Sequence, residues 1–171
     1  MPGAKLPEPW LRGTLTNLDP VPRAVLHALE LAKEDIERFC GSLSDTELNS
    51  SLFGLPSVAF HIKHIARSLD RLLTYAEGDS LNADQLAALK SELDKDSTGK
   101  ELFAEFDAGL LKSAARIRNC PSPTFGQARA VGKKQLPTTV AGLLVHIADH
   151  TQRHVGQAVT TAKLILAQRS S

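Results

Sequence analysis

Five of the six histidines in this 171-residue chain fall in two short clusters. Imidazole can donate a proton, accept one or ligate a metal ion, so clustered histidines are the first place to look for chemistry. His146, His150 and His154 recur every four residues. On a helix that spacing turns each ring about 40° from the last and stacks neighbours a turn apart on one face. The apolar stripe of the same segment runs through Val140, Leu143, Ile147, Ala158 and Ile165. Ideal geometry places His154 within about 20° of the stripe's centre, His150 about 60° away and His146 about 100° away. Two imidazoles therefore face the core and the third flanks it. A buried imidazole needs partners for both ring nitrogens. Polar neighbours usually supply them for a lone core histidine. For a core-facing HxxxH pair, a shared metal ion is an equal reading, because it satisfies one nitrogen on each ring.

The second cluster is His61 and His64, on a segment whose stripe is Val58, Ile62, Ile65, Leu69, Leu72 and Ala76. His61 lies about 60° from that stripe's centre and His64 about 120° away. Periodicity thus favours His61 as the residue facing the last helix. His27 has no partner in the sequence and reads as a surface or boundary residue.

The elements that must position these rings are helical. Residues 1–18 form an N-terminal arm with the only tryptophan, Trp10. Asp19-Pro20 reads as a helix start, Val25, Leu29, Ala32, Ile36 and Phe39 continue it, and Gly41 stops it. Ser44 and Glu47 form a capping-box pattern for a short helix. Ser57 caps a helix from Val58 to about Glu77, with Gly78 as its stop, and a short helix covers 83–93. Thr98 and Glu101 form a second capping box ahead of a helix that runs to about Arg118. Residues 120–137 hold three prolines and two glycines, a long loop with a hairpin around 128–135. Loops of this length are often functional. Thr138 or Thr139 caps the last helix, Val140 to about Gln168. Four long helices, short extra helices and almost no strand signal predict an all-α four-helix bundle, with residues 1–171 as one domain.

Composition narrows the function classes. Lys plus Arg is 20 and Asp plus Glu 19, a net charge of +1, which argues against a nucleic-acid binder. No signal-length or membrane-length apolar run is present, which predicts a cytoplasmic protein without membrane contact. The two cysteines, Cys40 and Cys120, make no disulfide framework and are expected to be free thiols. There is no Gly-rich phosphate loop, nucleophile elbow or CxxC motif. Asp149 could orient a ligand of its neighbour His150, or simply be a solvated helix residue. Arg67, Asp70 and Arg71 are spaced to pair with one another on the surface.

The strings SVAFHIKHIARSLDRLL (57–73) and HIADHTQRHVGQ (146–157) resemble the DinB-like (DinB/YfiT) superfamily. Its pattern is a Ser, an aromatic three residues on, and a His followed by a hydrophobic residue and Ala; near the C-terminus comes HxxxHRGQ. Ser57, Phe60, His64, Ile65 and Ala66 fit the first half, and His150, His154, Gly156 and Gln157 the second. Val155 stands where the family usually has Arg, so whatever that Arg does is absent here.

The resemblance implies a bundle holding a divalent metal, zinc or nickel, on three histidines: His64, His150 and His154. This set prefers His64 where periodicity prefers His61. His61 and His146 then become neighbours of the ligands or pocket-lining groups. Three neutral ligands leave one position of a tetrahedral metal open, as in catalytic sites. Similar proteins include transferases and isomerases that use a low-molecular-weight thiol such as bacillithiol, mycothiol or glutathione. The leading expectation is a metal-dependent transferase that activates a small thiol. The alternatives are a non-catalytic metal-binding stress-response bundle and a metal-dependent hydrolase. The expected partners are a small-molecule substrate and, in a homodimer, a second copy of the chain.

Overall fold

The computed structural model describes residues 6–169. Residues 1–5 of the expected arm lie outside the described residues. The rest of the arm carries one short 3-10 turn, Pro9–Leu11, and is tied to the first long helix by a two-pronged ion pair from Arg12 to Glu34.

Helix α1 (Pro20–Cys40) begins with Asp19 at the N-cap position, but its carboxylate makes no capping bond, so the start rests on Pro20. Short α2 (Asp45–Asn49) has the reciprocal Ser44–Glu47 capping box that the sequence predicts. The Ser57 hydroxyl accepts from the Phe60 N–H to start α3 (Val58–Glu77). That helix ends where Gly78 turns left-handed at φ +93°, a conformation an L side chain resists. Helix α4 (Ala83–Lys90) is shorter than expected, and a turn follows it. The Thr98–Glu101 capping box opens α5 (Gly99–Arg118), and Thr139 caps α6 (Val140–Gln168).

The four long helices form the expected bundle. Helix α6 packs against α1 and α3, α3 packs against α5, and α5 closes on α1, so α1 and α3 stand across a diagonal. Each contributes an apolar stripe to one core, with Ile36, Ile62, Ile65, Phe106, Ile117, Leu144 and Ile147 fully buried. The α3–α5 approach is close enough that a Cβ at Gly109 would sit 3.0 Å from that of Ala66.

The 120–137 stretch is more ordered than a loop. It holds a 3-10 turn, Ser122–Thr124, and an antiparallel pair, β1 (Ala128–Val131) and β2 (Leu136–Thr139), in register from Ala128 opposite Thr139 to Val131 opposite Leu136. The hairpin reaches beyond 128–135 because residues 132–135 are its turn. Thr139 both ends β2 and caps α6, so strand passes into helix without a linker. Arg129 donates to the Ala76 carbonyl and anchors the hairpin at the C-terminal end of α3. That is about 18 Å along the helix axis from His64.

Two expectations need correction. His27 is buried, not a surface or boundary residue, and its Nε2 lies 3.1 Å from the Thr14 hydroxyl, so the arm supplies a partner no local pattern reveals. Arg67, Asp70 and Arg71 do not pair with one another. Arg67 grips Glu105 with two bonds, Asp70 takes Lys112 and Arg116, and Arg71 turns inward to Glu92. Cys40 and Cys120 are both free; burial pushes the Cys40 thiol up to about 12. Among the described residues no helix is long and apolar enough to cross a membrane.

Candidate metal centre

Helices α3 and α6 run antiparallel along the seam that carries the histidines, so residue numbers fall on one as they rise on the other. His61 meets His154, His64 meets His150, and Ser68 meets His150 from the next turn. The ring nitrogens that His64, His150 and His154 offer all lie within 4.8 Å of one another. All three residues are partly exposed, so the cluster opens towards solvent. Phe60 stacks on His64 with its ring centroid 5.4 Å away and presents its edge towards His154.

Hydrogen bonds decide which nitrogens face inward. His64 Nδ1 lies 2.7 Å from the Glu92 carboxylate, which can only accept, so the proton sits on Nδ1 and Nε2 keeps a lone pair. The Ser68 hydroxyl donates to the Ile65 carbonyl and lies 3.5 Å from His150 Nδ1; when Nδ1 carries the proton, His150 Nε2 also keeps a lone pair. These two Nε2 atoms stand 3.2 Å apart. Two lone pairs at that distance repel unless a proton or a cation lies between them. Tetrahedral zinc with Zn–N bonds of about 2.0–2.1 Å separates two ligand nitrogens by about 3.3 Å. His154 Nδ1 is 3.0 Å from His61 Nδ1. When His154 donates in that contact, its Nε2 is free to complete the set. The residues present therefore fit a divalent cation.

The electrostatics favour neutral ligands. Burial, reinforced by the neighbouring imidazoles, holds His150 and His154 down at about 4. His61, only 2% exposed, is lowered to about 4 by the same causes. Near pH 7 His150 and His154 are therefore uncharged, as ligation requires, and His61 behind them is neutral too. Glu92 is 4% exposed and burial opposes its charge, yet hydrogen bonds from His64 and Arg71 hold its carboxyl below the ordinary value.

Glu92 was not legible as part of the site, and the early end of α4 explains why. The chain leaves the helix after Lys90, and the turn that follows carries Glu92 back over α3. Three cations on one face of α3 clamp that turn. Lys63 donates to the Asp94 carbonyl, Arg67 to the Ala88 carbonyl and the Ser91 hydroxyl, and Arg71 to Glu92 at 2.7 Å. They sit four residues apart, the spacing that aligns side chains along a helix. The only advance signal was that spacing of Lys63, Arg67 and Arg71.

The other candidates stand outside the cluster. His61 backs His154 and takes no place among the three converging nitrogens. His146 is exposed and stacks loosely beside His150, with ring centroids 5.4 Å apart. Asp149 orients no member of the cluster: it pairs with Arg153 at 2.5 Å and lies 4.0 Å from His146. Val155 is buried in the core.

No curated protein matches the sequence significantly. The family comparison does find a match, and it covers both histidine segments and most of the four-helix frame that holds them. Over residues 28–158 the sequence fits the DinB superfamily, and the chain belongs to that family.

Proposed function

We propose that this protein is a metal-dependent transferase that activates a small thiol, with His64, His150 and His154 as ligands of a zinc or nickel ion. The observation that carries the reading is the convergence of His64 Nε2 and His150 Nε2, 3.2 Å apart, beside a third imidazole. Imidazole sets suit both metals. A divalent cation there would lower the pKa of a thiol or water and keep the anion available near neutral pH.

The chain's own residues set the stage. Glu92 and Arg71 fix the His64 tautomer, Ser68 orients His150, and His61 backs His154. Phe60 shields one face of His64 from water. The described residues offer no thiol at the cluster, and the Ser68 hydroxyl there is engaged with the Ile65 carbonyl. Cys40 is fully buried with its thiol held protonated, and Cys120 lies beyond α5 beside Thr124. The nucleophile must therefore come from outside, and a small thiol suits a soft, open site better than water does. A reducing cytoplasmic setting, where such thiols abound and both cysteines stay free, belongs to the same reading.

The test is transfer of bacillithiol, mycothiol, glutathione and cysteine to generic electrophiles by zinc- and nickel-loaded protein, with chelated protein as control. Metal-dependent transfer with at least one thiol is expected. It should vanish in His64→Ala and persist in Lys163→Gln, a surface change towards the far end of α6. A fully loaded site with no rate for any thiol would leave a non-catalytic metal-binding bundle.

A further inference from the structure

Beside the histidine cluster lies a cavity of about 440 Å³ between the segment before α3 and the outer face of α6. Leu55 and Pro56 form one wall, and His61, Arg153, Gly156 and Gln157 the other. That volume is within the range of small-ligand sites, about 300–1,000 Å³. We propose that this cavity binds the carboxylate of a small apolar molecule, with Arg153, Gln157 and the second ring nitrogen of His61 as its donors.

Three observations support this. The first is the unused donors. Asp149 engages one nitrogen of Arg153, which leaves the rest of the guanidinium fork without a partner among the described residues. The Gln157 side chain, one turn further on, makes no hydrogen bond there either. No carboxylate side chain lines the cavity, so its polar wall is rich in donors. A guanidinium fork matches a carboxylate in shape as well as charge.

The second is the state of His61. If His154 donates its Nδ1 proton so that Nε2 can ligate, His61 must accept on Nδ1 and carry its own proton on Nε2. The cavity wall then gains a neutral N–H donor. In this respect the inference rests on the ligand set proposed above.

The third is Gly156. A glycine inside a helix is less favourable than alanine. Here no crowding demands it, because a Cβ built at Gly156 meets nothing within 4 Å. Any larger side chain would project into the open space. The glycine keeps the floor of the cavity clear, and Leu55 and Pro56 give the body of the ligand an apolar surface.

The experiment is an NMR titration of zinc-loaded protein with hexanoate and, as the neutral control of equal size, hexanamide. Hexanoate should shift the Gly156 and Gln157 signals saturably, with hexanamide at least tenfold weaker. Arg153→Gln should weaken hexanoate at least tenfold, and Gly156→Leu should abolish its binding, both with zinc stoichiometry unchanged. Equal binding of hexanoate and hexanamide would overturn the proposal. So would hexanoate binding that survives Arg153→Gln but disappears with zinc, since the carboxylate would then sit on the ion. Protein that takes up no zinc would sink the ligand set alone. Hexanoate binding to that protein, lost in Arg153→Gln, would still carry the cavity.

Discussion

Helix α3 presents two seams built on opposite plans. Towards α5 it is complete in itself. Ala66 meets Gly109 at the closest approach, and every charge beside it has an opposite: Arg67 with Glu105, Asp70 with Lys112 and Arg116, Glu77 with Arg116. Towards α6 the same helix sets two imidazoles against two more, with Glu92 the one carboxylate bonded to them among the described residues and two Nε2 atoms 3.2 Å apart. The first seam needs nothing from outside the chain. The second gathers imidazole nitrogens that could hold a divalent cation. Helices that merely hold a fold satisfy their polar groups internally, so an unsatisfied convergence on an otherwise satisfied helix is the mark of a site.

The largest effect should come from breaking the α6 side of the second seam. His150→Ala should cut bound zinc from about one per chain to less than a tenth, measured by elemental analysis, while the far-ultraviolet circular dichroism stays helical. The converse break is Phe106→Ala on the first seam's helix. Removing this fully buried ring should cost about 3–5 kcal/mol of unfolding free energy in urea. Zinc stoichiometry of the folded fraction should stay at one.

Glu92→Gln sharpens the comparison. It keeps the shape of the side chain but loosens control of the His64 tautomer, and should weaken zinc 10–100-fold in a competition titration. An unchanged affinity would mean that the Arg71–Glu92 pair serves packing alone. A smaller, graded effect follows from acid. His61, His150 and His154 have folded values near 4, against about 6.5 when unfolded. Between those values the unfolded chain binds more protons, so stability is complete above about pH 6.5 and is lost as pH falls towards 4. The melting temperature of chelated protein should drop across that window. The drop should shrink in His150→Ala.

Most local signals in the sequence were reliable, Asp19 as a cap and the end of the short helix at 83–93 being the exceptions. The caps at Ser44, Ser57, Thr98 and Thr139 and the stops at Gly41 and Gly78 lie within a turn of the helix they bound, and all appear in the structure. Contacts made at a distance were not legible. Glu92 reaches His64 across 28 residues, Thr14 reaches His27 from the arm, and Arg71 turns inward because α4 ends early. The angular argument about His61 and His64 was right that His61 faces the last helix, where it meets His154, but did not foresee that His64 reaches α6 as well. The stripe of α3 averages two seams, one facing α5 and one facing α6, so its centre points between them. A ring about 120° from that average can still stand at the α6 edge, as His64 does. The resemblance to a family singled out His64, which stands beside His150 and His154.

The central claim is that the α3–α6 seam is completed by a metal ion on three imidazoles. X-ray absorption at the zinc edge of reconstituted protein tests it most directly. The account predicts three imidazole ligands and one further light or sulfur atom, falling to two imidazoles in His64→Ala if any zinc remains. Zinc bound with fewer than three imidazoles in the unaltered protein, or an identical spectrum in His64→Ala, would contradict it.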